Sequence, residues 1–226
     1  SVTSHNQQMF DAMQYSAKHL MTVINDLLDF SLIQTGNLRV VERPMNLKQL
    51  LQEVGHMFEM RMEEKGVRLR IKIDGNVPEW VIGDSDRLAQ ILINLLGNAA
   101  KFTTQGYVEL CAHYDAKNVL EVSVEDTGCG IEKSQMSAVF DRFSSITEST
   151  RREYGGTGLG LSITQNLIGL MRGEIGATSL INVGSTFWFK VPLVAIAPPS
   201  LPQDTDNQHA QNGPIVGRVL IVDDSS

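Results

Sequence analysis

In Ser85-Asp-Arg-Leu-Ala-Gln-Ile-Leu-Ile-Asn-Leu-Leu-Gly-Asn-Ala-Ala-Lys-Phe102, a helical turn of about 100° per residue places Arg87, Gln90, Asn94, Asn98 and Lys101 along one narrow stripe. Leu88, Leu92, Leu95 and Ala99 face the other way. The segment therefore reads as a helix with one side for a core. Its polar side is unusual, because a merely solvated face favours good helix formers and Asn is worse than Ala by about half a kcal/mol at each interior position. A surface pair of asparagines is the plain alternative. An amide oxygen, however, can ligate Mg²⁺ without adding charge, and a lysine one turn on can meet a phosphate, which fits a metal-nucleotide site.

The segments on either side of this helix mix periods. A helix is expected near 47–65, an alternating strand at Val67–Ile73, strands at Tyr107–Tyr114 and near 119–125, helices near 134–140 and 159–171, and strands near 174–178 and 186–191. That order predicts an α+β fold, a two-layer sandwich of sheet and helices. From Phe10 to Gln34, apolar residues recur at Phe10, Met13, Ala17, Leu20, Ile24 and Leu27, in steps of three and four. Gly36 ends that helix. Val23, Leu28, Phe30 and Leu32 widen the stripe, as in a four-helix bundle, so the expected complement is a second chain and the expected assembly a homodimer. Packing against its own domain is the alternative. From Ala197 to Gly213 the composition turns to Pro, Gln, Asn and Ser, as in a flexible linker, before the short apolar run Arg218–Val222 ends in Asp223 and Asp224.

Bulk properties narrow the function. With 226 residues, 42% hydrophobic, the chain can bury a substantial core. Its net charge of −7 opposes binding a polyanion, and no basic stripe offsets it, so nucleic acid is not an expected partner. Cys111 and Cys129 make no CxxC pair, which suits a reducing compartment. No apolar run approaches the roughly 18 residues that span a bilayer, and Ser-Val-Thr-Ser-His-Asn-Gln-Gln lacks the order of a signal peptide. The expected location is the cytoplasm, without membrane contact by this fragment, and an inner-membrane sensor's cytoplasmic part is compatible with that.

Two glycine segments carry further chemistry. Val122–Asp126 reads as a strand running into Thr-Gly128-Cys-Gly130-Ile131, where glycines permit positive φ and close approach of a flat ligand. A carboxylate at Asp126 can accept from an exocyclic amine such as adenine's. Tyr154-Gly-Gly156-Thr157-Gly158-Leu159-Gly160-Leu161-Ser-Ile163 leads directly into an apolar-periodic helix and so presents unpaired N–H groups to an anion. It is neither a Walker loop nor a dinucleotide fingerprint. Between the two, Phe140-Asp-Arg-Phe143 supplies aromatic anchors, and the polar run 144–153, with Arg142, Arg151 and Arg152 at hand, has the composition of a lid.

Asn94-Leu-Leu-Gly-Asn98-Ala-Ala-Lys-Phe-Thr103, the DTGCGI turn, FDRF, GGTGLGLSI and Gly184-Ser-Thr186-Phe187 stand in the order of the N, G1, F, G2 and G3 boxes. Together they closely resemble the catalytic ATP-binding domain of sensor histidine kinases. Upstream, SAKHLMTVINDLLDFSLIQTG resembles the second helix of their dimerisation and phosphoacceptor domain, and RVLIVDD resembles the first strand of a receiver domain. The resemblance implies a hybrid kinase of a bacterial two-component system, divided as 1–37 dimerisation helix, 38–196 catalytic domain, 197–217 linker and 218–226 truncated receiver. It implies a Bergerat-type fold, a mixed sheet with helices on one face, behind a long dimerisation helix.

By the same resemblance Asn98 would hold Mg²⁺, Asn94 and Lys101 would contact phosphates, Asp126 would read adenine, and Gly156, Gly158 and Gly160 would shape the triphosphate loop. Gly128, Gly130, Ile131, Phe143, Thr157, Leu159, Leu161 and Thr186 would complete the ATP site. Asp223 and Asp224 would be the acidic metal pair of the receiver. Related gyrase-type ATPases carry a glutamate base where Asn94 stands. Asn cannot take a proton from water, so transfer to a side chain is expected rather than hydrolysis. No HE-x-R-T-P-like box is present; His5 and His19 belong with the second helix, whereas the family's acceptor sits on the first. Implied partners are a receiver domain or response regulator and, in the alternative of a regulatory or degenerate kinase, another histidine kinase. An ATP hydrolase is the third reading.

Overall fold

The computed structural model describes residues 2–141 and 158–199. Helix α1, Val2–Gln34, is followed by strand β1, Arg43–Asn46, helix α2, Leu47–Glu63, strands β2, Val67–Ile73, and β3, Trp80–Gly83, and helix α3, Ser85–Phe102. Strands β4, Gly106–Tyr114, and β5, Val119–Asp126, precede the short helix α4, Lys133–Met136. Helix α5, Gly160–Leu170, and strands β6, Glu174–Leu180, β7, Gly184–Pro192, and β8, Val194–Ile196, follow.

Five strands form a mixed sheet in the order β2-β4-β5-β7-β6, parallel between β2 and β4 and antiparallel elsewhere. Their alternating side chains explain the layering. On β5 Leu120, Val122, Val124 and Asp126 are buried, while Glu121, Ser123 and Glu125 between them are only partly covered. Helices α2, α3 and α5 pack on the buried face, giving the expected α+β arrangement with helices on one side. The other face is polar: Lys72 pairs with Glu109 at 2.9 Å, and the Arg70 guanidinium lies 4.1 Å from the centre of the Tyr107 ring.

A second sheet, β1-β3-β8, was not legible in the sequence. Its strands have four, four and three residues, and β1 carries Pro44, tolerated because β1 is an edge. The helix expected near 134–140 is shorter, ending at Met136. Helix α1 begins earlier than the apolar seam at Phe10, since polar residues before it continue the helix. The seam itself is exposed, with Phe10 at 57%, Leu20 at 59% and Leu27 at 50%. The end of α1 meets the domain, where Phe30 and Ile33 pack against its core.

Candidate functional site

Helix α3 is fixed at its start by Asp84, whose carboxylate accepts from the Arg87 N–H at 3.1 Å and from the Val41 N–H at 2.8 Å. Leu88, Ile91, Leu92, Leu95, Leu96, Ala99 and Ala100 are buried beneath it. The opposite stripe, Arg87, Gln90, Asn94, Asn98 and Lys101, is half-buried along its length, as the helical period requires. Burial lowers the Lys101 pKa below its ordinary value, and the ammonium lies 4.8 Å from the centre of the Phe102 ring. Desolvation favours the neutral amine, so a nearby anion would gain from restoring the charge.

The two glycine segments meet this stripe at its middle, Asn94, and at its far end, beside Lys101. At Gly160, the first residue of α5, a Cβ would stand 2.3 Å from Asn94 Oδ1. No other residue type permits that approach without displacing Asn94. The Asn94 amide donates to Thr164 Oγ1 at 2.8 Å, one turn into α5, and Thr164 is 2% exposed. At the far end, a Cβ on Gly128 would fall 2.5 Å from the Phe102 carbonyl oxygen. Asn98 stands one turn from each contact, between both glycine segments.

Asp126 ends β5 and is 7% exposed. Its carboxylate accepts from the Gly128 N–H at 2.8 Å. Burial, the larger influence, raises its pKa above the ordinary carboxylate value, while the Gly128 and Ser185 N–H groups oppose the rise. Such a carboxyl is held still and partly dehydrated, ready to accept from a ligand's amine. Gly130 has φ +68° and abuts the Leu180 carbonyl; Ile131 is buried, its N–H donating to Ser179 Oγ at 2.8 Å. Ser179 in turn donates to the Gly184 carbonyl at 2.9 Å, stitching β6, β7 and the first glycine turn together. Gly158 has φ +68°, Leu159 is buried and Leu161 is half-buried against the core.

Thr186 is not where it was expected. It pairs with Glu125 across β5 and β7, on the face away from Asp126, and the residue opposite Asp126 is Ser185. A strand's two-residue period puts neighbouring side chains on opposite faces. Because β7 pairs antiparallel with β5, counting from Asp126 selects Ser185. Thr164 was the other residue missed; its hydroxyl on the fifth residue of α5 carries no motif signal. Phe143, Gly156, Thr157, Arg142, Arg151, Arg152, Asp223 and Asp224 lie outside the described residues. Among the described residues, no three His, Cys, Asp or Glu side chains cluster as a metal site, so a cation here would depend on amide and phosphate oxygens. The half-buried Asn98 amide between the glycine segments fits such a role.

A family profile described as histidine kinase-, DNA gyrase B- and HSP90-like ATPase matches residues 83–195, half of the chain, from the end of β3 to β8. The chain belongs to this ATPase family. Membership supports ATP binding by a domain in which α3 and both glycine segments fall. Among curated proteins, the chain is 40% identical over 196 residues to the signal transduction histidine-protein kinase BarA of Escherichia coli, covering 85% of this chain and 21% of BarA. It is 38% identical over 201 residues to the autoinducer 2 sensor kinase/phosphatase LuxQ of Vibrio parahaemolyticus, covering 85% of this chain and 23% of LuxQ. The chain thus spans about a fifth of the length of these relatives. Among solved structures, full-length ShkA in complex with AMPPNP aligns with a TM-score of 0.72 at 31% identity, over 83% of this chain and 39% of ShkA. The catalytic domain of the histidine kinase ThkA aligns with a TM-score of 0.58 at 28% identity, over 67% of this chain and 95% of that domain. No described helix is long and apolar enough to cross a membrane.

Proposed function

We propose that this chain carries the ATP-binding catalytic domain of a hybrid sensor histidine kinase, which transfers the γ-phosphate of Mg-ATP to a histidine for relay to a receiver aspartate. The observation that carries the reading is Asn94, an amide held between Gly160 and Thr164 on the stripe that continues through Asn98 to Lys101. In this account the adenine amine meets the buried Asp126 carboxylate and the phosphates run along the stripe toward Asn94. Mg²⁺, held by the Asn98 amide oxygen together with phosphate oxygens, would neutralise charge on the transferred group. Lys101 and the N–H groups opening α5 supply the remaining positive potential.

Asn94 cannot act as a general base. Its hydrogen bond to Thr164 fixes its orientation, which suits positioning of the phosphates rather than activation of water. Transfer to a nucleophile brought from another domain follows, and hydrolysis does not. The exposed seam of α1 provides a surface for a second copy of the chain, so the kinase works as a dimer. The regions 1–37, 38–196, 197–217 and 218–226 are assigned as dimerisation helix, catalytic domain, linker and receiver start on the strength of their sequence likeness. A cytoplasmic location accords with the free cysteines Cys111 and Cys129.

A direct test supplies a separate dimerisation domain bearing a histidine box, together with γ-labelled Mg-ATP. Acid-labile label on that domain, absent with Asn98→Ala, is expected. Binding of ATP with steady phosphate release and no labelling would replace this reading with a hydrolase.

A further inference from the structure

The hydroxyl of Ser179 on β6 belongs to none of the motifs, yet it is bonded on every side. It accepts from the Ile131 N–H at 2.8 Å, donates to the Gly184 carbonyl at 2.9 Å and lies 2.9 Å from the Ser185 hydroxyl. A hydroxyl has one proton and two lone pairs. The Gly184 carbonyl can only accept, so the Ser179 proton is spent there, and the Ile131 N–H takes one lone pair. What remains for Ser185 is the second lone pair. In the bond between the two hydroxyls, Ser185 is therefore the donor and Ser179 the acceptor.

That direction matters because of where Ser185 stands. It is opposite Asp126 across β5 and β7, opposite Ser179 across β6 and β7, and buried. With its proton turned toward Ser179, its oxygen offers only lone pairs. The neighbouring donors are used up as well: the N–H groups of Gly128 and Ser185 bond the Asp126 carboxylate, and that of Ile131 bonds Ser179. Asp126 and Ser185 are thus adjacent acceptors, with no free proton among these groups. In a buried setting a ligand atom of the wrong kind leaves such a group unpaired, which is costly.

We propose that Ser179 determines the base specificity of the nucleotide site: by taking the Ser185 proton it keeps this end of the site acceptor-only, so that a 6-aminopurine is chosen over a 6-oxopurine. The proposal rests on the ATP reading for the ligand, and on the hydrogen bonds above for the direction of the proton. Adenine brings amine donors to the two acceptors, whereas hypoxanthine brings a carbonyl oxygen that neither can bond. Without the Ser179 hydroxyl, the Ser185 proton is free to turn and donate to that carbonyl. Ser179 acts through Ser185, as a positioning residue.

The test is calorimetric titration of ADP and inosine diphosphate, which differ at the purine 6-position and in the N1 proton, into the chain and its variants. Wild type should favour ADP. Ser179→Ala should reduce that preference about tenfold, chiefly through tighter inosine diphosphate binding, while Ser179→Thr, which restores a hydroxyl, should retain it. Adding Ser185→Ala to Ser179→Ala removes the freed donor and should bring most of the preference back. A hydroxyl that merely braced the Ile131 turn would weaken both nucleotides alike when removed, and the second substitution would not reverse that. Ser179→Cys, a weaker donor and acceptor, should fall between wild type and Ser179→Ala, and serves if the alanine variant does not fold. Wild type that binds both nucleotides equally, an unchanged preference in Ser179→Ala and Ser179→Cys, or one that Ser185→Ala fails to restore, overturns the proposal and leaves nucleotide binding intact. If wild type binds neither nucleotide, the ATP reading falls and takes the role of Ser179 with it.

Discussion

At Gly160 a single hydrogen in place of a methyl group lets the second glycine segment reach Asn94. Placing a Cβ 2.3 Å from Asn94 Oδ1 would push the amide off its bond to Thr164. Gly160→Ala should therefore weaken nucleotide binding by about 1–3 kcal/mol, read by calorimetry, with little change in melting temperature because the strain can be relieved locally. Asp126 offers a second check. Its folded-state pKa is raised by burial, so the folded state binds a proton more readily than the unfolded chain. Ionised Asp126 then lowers stability above the raised folded-state pKa, and that penalty fades as pH falls through it toward the ordinary carboxylate value of 3.8. Against Asp126→Asn, wild type should be relatively less stable at neutral pH and should close the gap on acidification, followed by denaturant melts across pH. The same substitution should weaken ATP binding, because half of the acceptor becomes an amide donor facing the adenine amine.

Legibility in the sequence followed length and period. Helix α3 could be placed residue by residue because its leucines and its polar stripe both keep the helical period, and the long strands of the large sheet alternated clearly. The strands β1, β3 and β8 could not be placed: four residues or fewer carry too little pattern, and Pro44 argues against a strand until the edge position is known. Ser185 was lost to its neighbour Thr186 because a motif names adjacent residues without saying which face each one takes. Thr164 was missed because nothing before folding says that α5 crosses α3 at Asn94. On α1, the exposed seam is an element whose partner is a further copy in the proposed dimer. Leu20→Glu with Leu27→Glu places like charges across a two-fold seam and should convert the dimer to monomer in sedimentation, leaving the fold of residues 38–196 unchanged.

Taken whole, the molecule is a sheet with helices on one side, and the groups of the proposed ATP site come from three places remote in sequence. Helix α3 supplies the amides, the end of β5 the carboxylate, and the start of α5 the donors. The last two are brought to α3 by glycine approaches, Gly128 at Phe102 and Gly160 at Asn94, that only the folded chain reveals. The long helix α1 reaches the same stripe from the opposite end through Asp29. Sequence could show the three motifs and their order; only the fold shows that α3 is the common wall. The measurement that bears most directly on this arrangement is calorimetric titration of AMPPNP, with and without Mg²⁺, into wild type and Asn98→Ala. Wild type should bind at least about tenfold more tightly with Mg²⁺, and Asn98→Ala should lose that dependence. Equal Mg²⁺ dependence in both proteins, or binding by wild type that ignores Mg²⁺, would contradict an amide grip on the nucleotide's cation.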